Sequence, residues 1–156
     1  MMADPILSIC INTFNRPNLL CQTLDSILIQ SNEFVELIVI DGSTNDETQQ
    51  IMQQYIQDHC IVKYFRSEIS IGIDEGYDIA VLKASGNYCW MLPDDDIVIS
   101  GTISRLLLEI EKSYDLILLE TECYTRDLSI SLNQSLYSID SDLEFSKENF
   151  HNFWPV

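Results

Sequence analysis

The sequence predicts an α/β fold: a mostly parallel sheet with flanking helices. Four short, apolar, β-rich runs recur along the chain, at Leu7–Ile11, Val35–Ile40, Ile61–Phe65 and Tyr88–Leu92. Stretches with apolar residues at helical spacing separate them. Parallel strands need crossover connections of about a dozen residues or more, usually helical, and this alternation supplies them. Three of the four runs end directly in a polar cluster.

The elements follow in order. Leu7–Ile11 is short, apolar and β-rich, as a strand buried on both faces should be. Asn12 to Asn15 is polar, and Pro17 suits the first turn of a helix. Leu20, Leu24, Ile27 and Leu28 then recur at helical spacing. Val35–Ile40 is a second buried strand ending at Asp41-Gly42-Ser43. Asn45 or Ser43 is expected to cap a second helix, with Ile51, Met52, Tyr55 and Ile56 on one face. After the third strand, Ile61–Phe65, the residues Ile73, Tyr77, Ala80, Val81 and Ala84 mark a third helix, with Gly86 as its stop. Tyr88–Leu92 runs straight into Asp94-Asp95-Asp96. Ile103–Ile110 reads as a helix and Leu116–Thr121 as a further strand. Beyond Tyr124 the pattern weakens, and Ser146–Val156 looks like the beginning of a helix. The boundary is therefore drawn between a core, 1–123, and a following region, 124–156.

Composition narrows the function. The 156 residues carry 25 Asp and Glu against 8 Lys and Arg, a formal net charge of −17. Nucleic-acid binding needs clustered cations to neutralise phosphates, so it is excluded, and an anionic membrane surface is disfavoured for the same reason. A phosphate ligand would need a divalent cation as mediator. The five cysteines are widely spaced without a CxxC pair, which argues against zinc. Cys10 and Cys89 lie in apolar runs and read as buried core thiols. There is no signal-peptide pattern, and no apolar segment approaches the ~20 residues of a membrane span. These features fit a cytoplasmic protein without a transmembrane segment, at most peripheral to the inner face of a membrane.

Ligands of open parallel sheets bind outside the carboxyl ends of the strands. Thr13-Phe14-Asn15-Arg16, Asp41-Gly42-Ser43-Thr44 and Asp94-Asp95-Asp96 all follow predicted strands and should converge there. Three adjacent carboxylates repel one another without a counter-charge. Oxygen-rich clusters suit Mg²⁺ or Mn²⁺ bridging to substrate phosphates; the alternative is a solvated acidic turn. No Lys or Arg follows in that loop before Arg105. Asp41 either bonds its own backbone in a turn or accepts from a nucleoside. Thr13 and Asn15 either cap the first helix or face a ligand, the cap being the expected role of Asn15. Arg16 near a helix start opposes the helix dipole, which favours a ligand role.

The same residues resemble a known family. Ser8-Ile9-Cys10-Ile11-Asn12-Thr13-Phe14-Asn15-Arg16-Pro17 looks like the opening of inverting GT-A glycosyltransferases of family 2. Glu36 to Thr44 looks like their second strand and its Asp-Gly-Ser turn. Gly72 to Asp96 resembles a third family stretch, with Ala84, Gly86, Tyr88, Leu92, Asp95 and Asp96 coinciding, and is closest to abequosyltransferase-like enzymes of O-antigen assembly. The resemblance covers about residues 6 to 122. It implies a GT-A (Rossmann-like) fold and transfer of a sugar, with inversion, from a nucleotide-diphosphate donor to a saccharide or lipid-linked saccharide. It also implies that Thr13 to Asn15 and Asp41 hold the base and ribose, and that Asp94 to Asp96 hold ribose and the metal, with Asp95 and Asp96 as the ligands of Mn²⁺ or Mg²⁺; Arg16 joins the donor site on the dipole argument alone. The region 124–156 would then begin the acceptor side. Departures are Asn12 for Pro, Phe14 for Tyr, Pro93 at the first Asp of the DxD pattern, and Tyr77-Asp78 for Arg-Asn. No segment matches the family's general base. The competing readings are a non-catalytic nucleotide-sugar-binding domain and a phosphoreceiver-like Mg²⁺ protein. Against the latter, the acidic cluster follows the fourth strand rather than the first.

Overall fold

A computed structural model describes residues 4–69, 71–125, 129–135 and 142–149. The chain divides into two compact units, Met1–Tyr114 and Asp115–Val156.

In the first unit the predicted alternation is realised. Strand β1 (Leu7–Thr13) leads to helix α1 (Pro17–Leu28), β2 (Val35–Asp41) to α2 (Glu47–Asp58), and β3 (Val62–Arg66) to α3 (Ile73–Lys83). Strand β4 (Tyr88–Pro93) is followed by α4 (Thr102–Ile110). The four strands form one parallel sheet in the order β3-β2-β1-β4. The register pairs Thr13 with Asp41 and Asn12 with Pro93, so the ends of β1, β2 and β4 lie side by side.

Side chains alternate between the two faces of a strand, yet every residue of β2 is buried. Both faces of the sheet centre are therefore covered, which is why the sequence of β2 is apolar apart from Glu36 and Asp41. On one face, Cys10, Ile38, Ile40, Ile71 and Ala80 form a cluster under α3. Burial pushes the Cys10 thiol up to about 12, with the neighbouring Cys89 adding to it. Leu20, Leu24 and Ile27 of α1, Met52 of α2, and Ile103 and Leu106 of α4 are buried as well. Pro17 stands in the first turn of α1 as expected.

Several local expectations are corrected. Cys89 is exposed, because β4 is an edge strand on which Cys89, Met91 and Pro93 share an uncovered face. Neither Ser43 nor Asn45 is the N-cap of α2. That position is Asp46, without a side-chain cap, and Asn45 Oδ1 accepts from the Glu47 amide in a local turn. Ile56 is 43% exposed, so the buried stripe of α2 is narrower than its spacing suggests. Gly86 is no left-handed stop, since α3 ends in extended backbone at Ala84. Gly86 serves close approach instead. A Cβ there would lie 2.8 Å from both the amide N and Oγ of Ser8.

The network around Gly86 centres on Glu36, which is buried. Its carboxylate accepts from the Ser8 hydroxyl (2.6 Å), the Ser85 amide (2.6 Å) and hydroxyl (2.9 Å), and Lys63. Burial alone would raise this carboxyl, but the bonds from Lys63, Ser8 and Ser85 outweigh it and hold it at about 2. One side chain thus ties β1, β2, β3 and the turn into β4 together at the end of the sheet opposite the polar clusters.

In the second unit, Leu116–Thr121 is not a strand. Leu116 and Leu118 are exposed, so no layer covers the run, and apolar composition alone cannot make a strand without a partner. Pairing begins later, between β5 (Glu122–Tyr124) and the antiparallel β6 (Ser131–Ser135). A turn spans 147–149, and the rest of the helix expected over Ser146–Val156 lies outside the described residues. Among the described residues no helix is long and apolar enough to cross a membrane.

Candidate functional site

The loops after β1 and β2 are laced together by hydrogen bonds. The Gly42 amide donates to the Thr13 carbonyl (3.1 Å) and the Asn15 amide to Ser43 Oγ (2.9 Å). Asn15 adopts left-handed backbone, with φ 54°, a conformation that asparagine tolerates better than most residues. Its side chain does not cap α1, as expected from sequence. It exchanges bonds with Thr44, accepting from the amide and donating to Oγ1, both at 3.1 Å. Ser43 Oγ in turn lies 3.2 Å from Thr48 Oγ1 in the first turn of α2.

Asp41 is wholly buried at the end of β2. Its Oδ1 accepts from the Ser43 amide (2.8 Å) in a turn of its own backbone, and its Oδ2 accepts from the Tyr64 hydroxyl (2.6 Å). Burial, and then the Asp41 bond, push the Tyr64 hydroxyl well above the usual tyrosine range. Beyond Asp41 lies an open groove of about 590 Å³ lined by Ser43, Thr44, Arg66, Ser67, Glu68 and Ile69. Arg66 braces its wall through Asp46 (2.7 Å), Gln49 and the Asn45 carbonyl (3.0 Å).

The acidic loop joins the same place. Thr13 Oγ1 donates to Asp94 Oδ2 at 2.7 Å, and Asp94 is buried. Arg16 Nη1 donates to Asp94 Oδ1 (3.4 Å) and Asp95 Oδ2 (3.1 Å). The sequence offered no cation within the acidic loop; the fold brings one from the start of α1. Burial, followed by the charge of Asp95, raises the carboxyl of Asp96 above the ordinary aspartate range. Tyr77 faces this loop from α3: burial first, then Asp94, Asp96 and Asp95, push its hydroxyl up to about 12.

Thr13, Arg16, Asp94 and Asp95 are therefore in direct contact, and Asn15 and Asp41 sit in the adjoining loop pair. Among the described residues no three His, Cys, Asp or Glu side chains form a group able to hold a metal ion. Tyr64 and the Arg66 groove escaped the sequence reading, in which Tyr77 figures only as a departure from the family's Arg-Asn. The one available signal was the position of Tyr64 and Arg66 at the end of the third predicted strand.

Several known proteins are similar to this chain in sequence and fold. The chain is 30% identical over 151 residues to the GalNAc(5)-diNAcBac-PP-undecaprenol beta-1,3-glucosyltransferase of Campylobacter jejuni, covering 94% of this chain and 47% of that protein. It is 27% identical over 124 residues to abequosyltransferase RfbV of Salmonella typhimurium, covering 76% and 37%. The chain thus spans less than half the length of these relatives. Among solved structures, S. aureus TarS 1-349 in complex with UDP superposes with a TM-score of 0.62 at 23% identity, over 68% of this chain and 32% of that one. The mannosyltransferase PcManGT from Pyrobaculum calidifontis, in complex with GDP-Man and Mn²⁺, gives 0.55 at 19% identity, over 61% and 29%. These are GT-A folds, and the parallel sheet with flanking helices is of that class. The family 2 profile, "Glycosyl transferase family 2", matches residues 8–150, and the chain belongs to that family.

Proposed function

We propose that this chain binds a nucleotide-diphosphate sugar and serves a transferase that passes the sugar, with inversion, to a hydroxyl of a saccharide or lipid-linked saccharide. The observation that carries this reading is the bonding of Thr13 and Arg16 to Asp94 and Asp95 beside the Asn15–Thr44 and Asp41–Tyr64 pairs. That places hydroxyl, amide and carboxylate groups along one edge of a parallel sheet, where such ligands bind. The similar proteins support it: one acts, by its name, on a lipid-linked acceptor, and two are described with a nucleotide or nucleotide sugar.

In this reading the Ser43–Thr44–Arg66 groove takes the nucleoside and Asp41 fixes its edge. Asn15 sets the loop that carries Arg16 towards the diphosphate. Asp94, with its oxygens committed to Thr13 and Arg16, holds the acidic loop in place. Asp95 and Asp96 remain to meet a cation.

Two carboxylates fit a divalent cation that arrives with the diphosphate rather than one held by protein alone. Magnesium-like ions are commonly bound through one or two carboxylates plus substrate phosphates. When bound, Mn²⁺ or Mg²⁺ would neutralise charge developing on the leaving diphosphate. A domain that binds the donor without transferring it is the second reading, favoured by the neutralisation that Arg16 already provides. Incubating the chain with UDP- and GDP-sugars and assaying release of nucleoside diphosphate separates the two. Cation-dependent release supports a transferase, and binding without release supports the second reading.

A further inference from the structure

We propose that Arg16 is the resident counter-ion of the acidic loop, and that it passes from carboxylate to phosphate when a cation and a nucleoside diphosphate bind together. The inference rests on the donor-binding reading above and assigns Arg16 a second state within it.

The position of Arg16 is built. Asn15, immediately before it, is fixed in left-handed backbone by its bonds to Ser43 and Thr44. Arg16 itself is the N-cap of α1, makes no side-chain cap, and is followed by Pro17. A cation at a helix N-terminus opposes the dipole, so the placement needs an acidic partner. Asp94 and Asp95 are that partner, 78 and 79 positions away in sequence.

The contact uses only part of the guanidinium. Both bonds fall on Nη1, while Nε and Nη2 have no hydrogen-bond partner among the described residues. The side chain is 52% exposed. Free N–H groups in a planar fork are suited to phosphate oxygens, so Arg16 can engage a diphosphate without first leaving the loop.

The oxygens it holds matter equally. Asp94 Oδ2 is taken by Thr13, and Nη1 sits on Asp94 Oδ1 and Asp95 Oδ2. A cation approaching alone must compete with Arg16 for Asp95 and leave the guanidinium with only its longer contact to Asp94 (3.4 Å). With a diphosphate present, the guanidinium gains new anionic oxygens as the cation takes the carboxylate. Cation and nucleotide should then each tighten the other by the same factor, and Arg16 should be one source of that coupling.

The test is Mn²⁺ binding to the full chain, read from the loss of the free aquo-Mn²⁺ paramagnetic resonance signal. Wild type, Arg16→Gln and Arg16→Lys are compared, alone and with UDP, GDP, CDP or dTDP, after thermal unfolding has shown that each variant is folded. Arg16→Gln should bind Mn²⁺ alone about 5-fold tighter, given two ion pairs of modest strength made by a half-exposed guanidinium. Its Mn²⁺–nucleotide coupling should shrink by a similar factor. Arg16→Lys should keep the weak binding of Mn²⁺ alone but lose part of the coupling, because an ammonium lacks the fork. Mn²⁺ binding to Arg16→Gln no tighter than to wild type would overturn the counter-ion role. If no nucleoside diphosphate binds wild type, the donor reading and the passage to phosphate fail, while tighter Mn²⁺ binding in Arg16→Gln still supports the counter-ion role.

Discussion

The Thr13 hydroxyl donates to Asp94 Oδ2 at 2.7 Å, across 81 positions of sequence. Both groups are buried, so the bond fixes the acidic loop to the end of the central strand. Replacing Thr13 by Val keeps the shape but leaves a buried carboxylate oxygen without its donor. Thr13→Val is expected to cost about 1–3 kcal/mol, checked by urea unfolding, and to weaken nucleoside diphosphate binding in calorimetry as the loop loosens.

Glu36 gives the fold an acid limb. Its folded-state value of about 2 lies below the ordinary glutamate value of about 4.3. Its stabilisation is therefore fully present above pH ~4.3 and is lost as pH falls towards about 2. Glu36→Gln should cost on the order of 1–3 kcal/mol at pH 7, because the amide group meets donors already aimed at a carboxylate. Urea unfolding from pH 7 to 3 should show the gap between wild type and variant narrowing below pH ~4.5. A constant gap would mean that the network acts through shape alone.

Two glycines should respond differently to alanine. At Gly76 a Cβ would stand 2.1 Å from Asn12 Oδ1, a side-chain atom that is itself buried and unpartnered. At Gly86 it would meet the Ser8 backbone at 2.8 Å. Gly76→Ala should lose about 1–3 kcal/mol from overpacking, despite the helix propensity it gains, and Asn12→Ala in the same chain should recover most of that loss. Gly86→Ala should be at least as costly, and Ser8→Ala should not rescue it. Melting temperatures of the single and double variants decide both cases.

The central strands were legible because both faces of the sheet are buried there, so Leu7–Ile11 and Val35–Ile40 appear as apolar runs interrupted only by Ser8 and Glu36. Leu116–Thr121 opens on a similar apolar run but has no partner strand among the described residues, and pairing is a tertiary fact that composition does not carry. Cys89 misled for a related reason, since its strand is an edge with one uncovered face. The convergence of Thr13, Asp41 and Asp94 followed from their places at strand ends. The Arg16–Asp94 contact did not, because the cation was sought within the acidic loop and the fold supplies it from another element. Asn15 was read as a cap because asparagine favours that position, whereas its backbone takes the left-handed turn and its side chain reaches the neighbouring loop.

Asp41 combines both roles weighed from sequence only if a nucleoside can reach it. One oxygen already serves the turn to Ser43, and the other accepts from Tyr64. Asp41→Ala should weaken nucleoside diphosphate binding by about 1.5–3 kcal/mol, but a lost turn would do the same. Tyr64→Phe separates the cases. It frees Oδ2 and leaves the turn intact, so direct contact predicts lower stability of the free protein and tighter nucleoside binding, by about 1 kcal/mol. Unchanged or weaker binding in Tyr64→Phe would leave Asp41 as a turn residue.

Asp96 carries a carboxyl whose proton affinity is raised by burial and by Asp95. With its folded value above the unfolded one, ionisation costs stability as pH rises through the folded value. Asp96→Asn should therefore be folded and slightly more stable than wild type at pH 7, by thermal unfolding, while losing its share of the cation site.

The strand-end carboxylates are expected to receive a nucleoside diphosphate only together with a divalent cation. The protein already carries −17, and a diphosphate adds further negative charge beside Asp94, Asp95 and Asp96. The decisive measurement is calorimetric titration of UDP and GDP with Mn²⁺ and then with EDTA, on wild type, Asp94→Asn, Asp95→Asn and Asp96→Asn. Affinity should fall at least tenfold, about 1.4 kcal/mol, when the cation is removed from wild type. Asp95→Asn and Asp96→Asn should bind equally weakly with and without Mn²⁺, and Asp94→Asn, whose oxygens face Thr13 and Arg16, should keep part of the difference. Equal affinity of wild type in Mn²⁺ and in EDTA would contradict the claim.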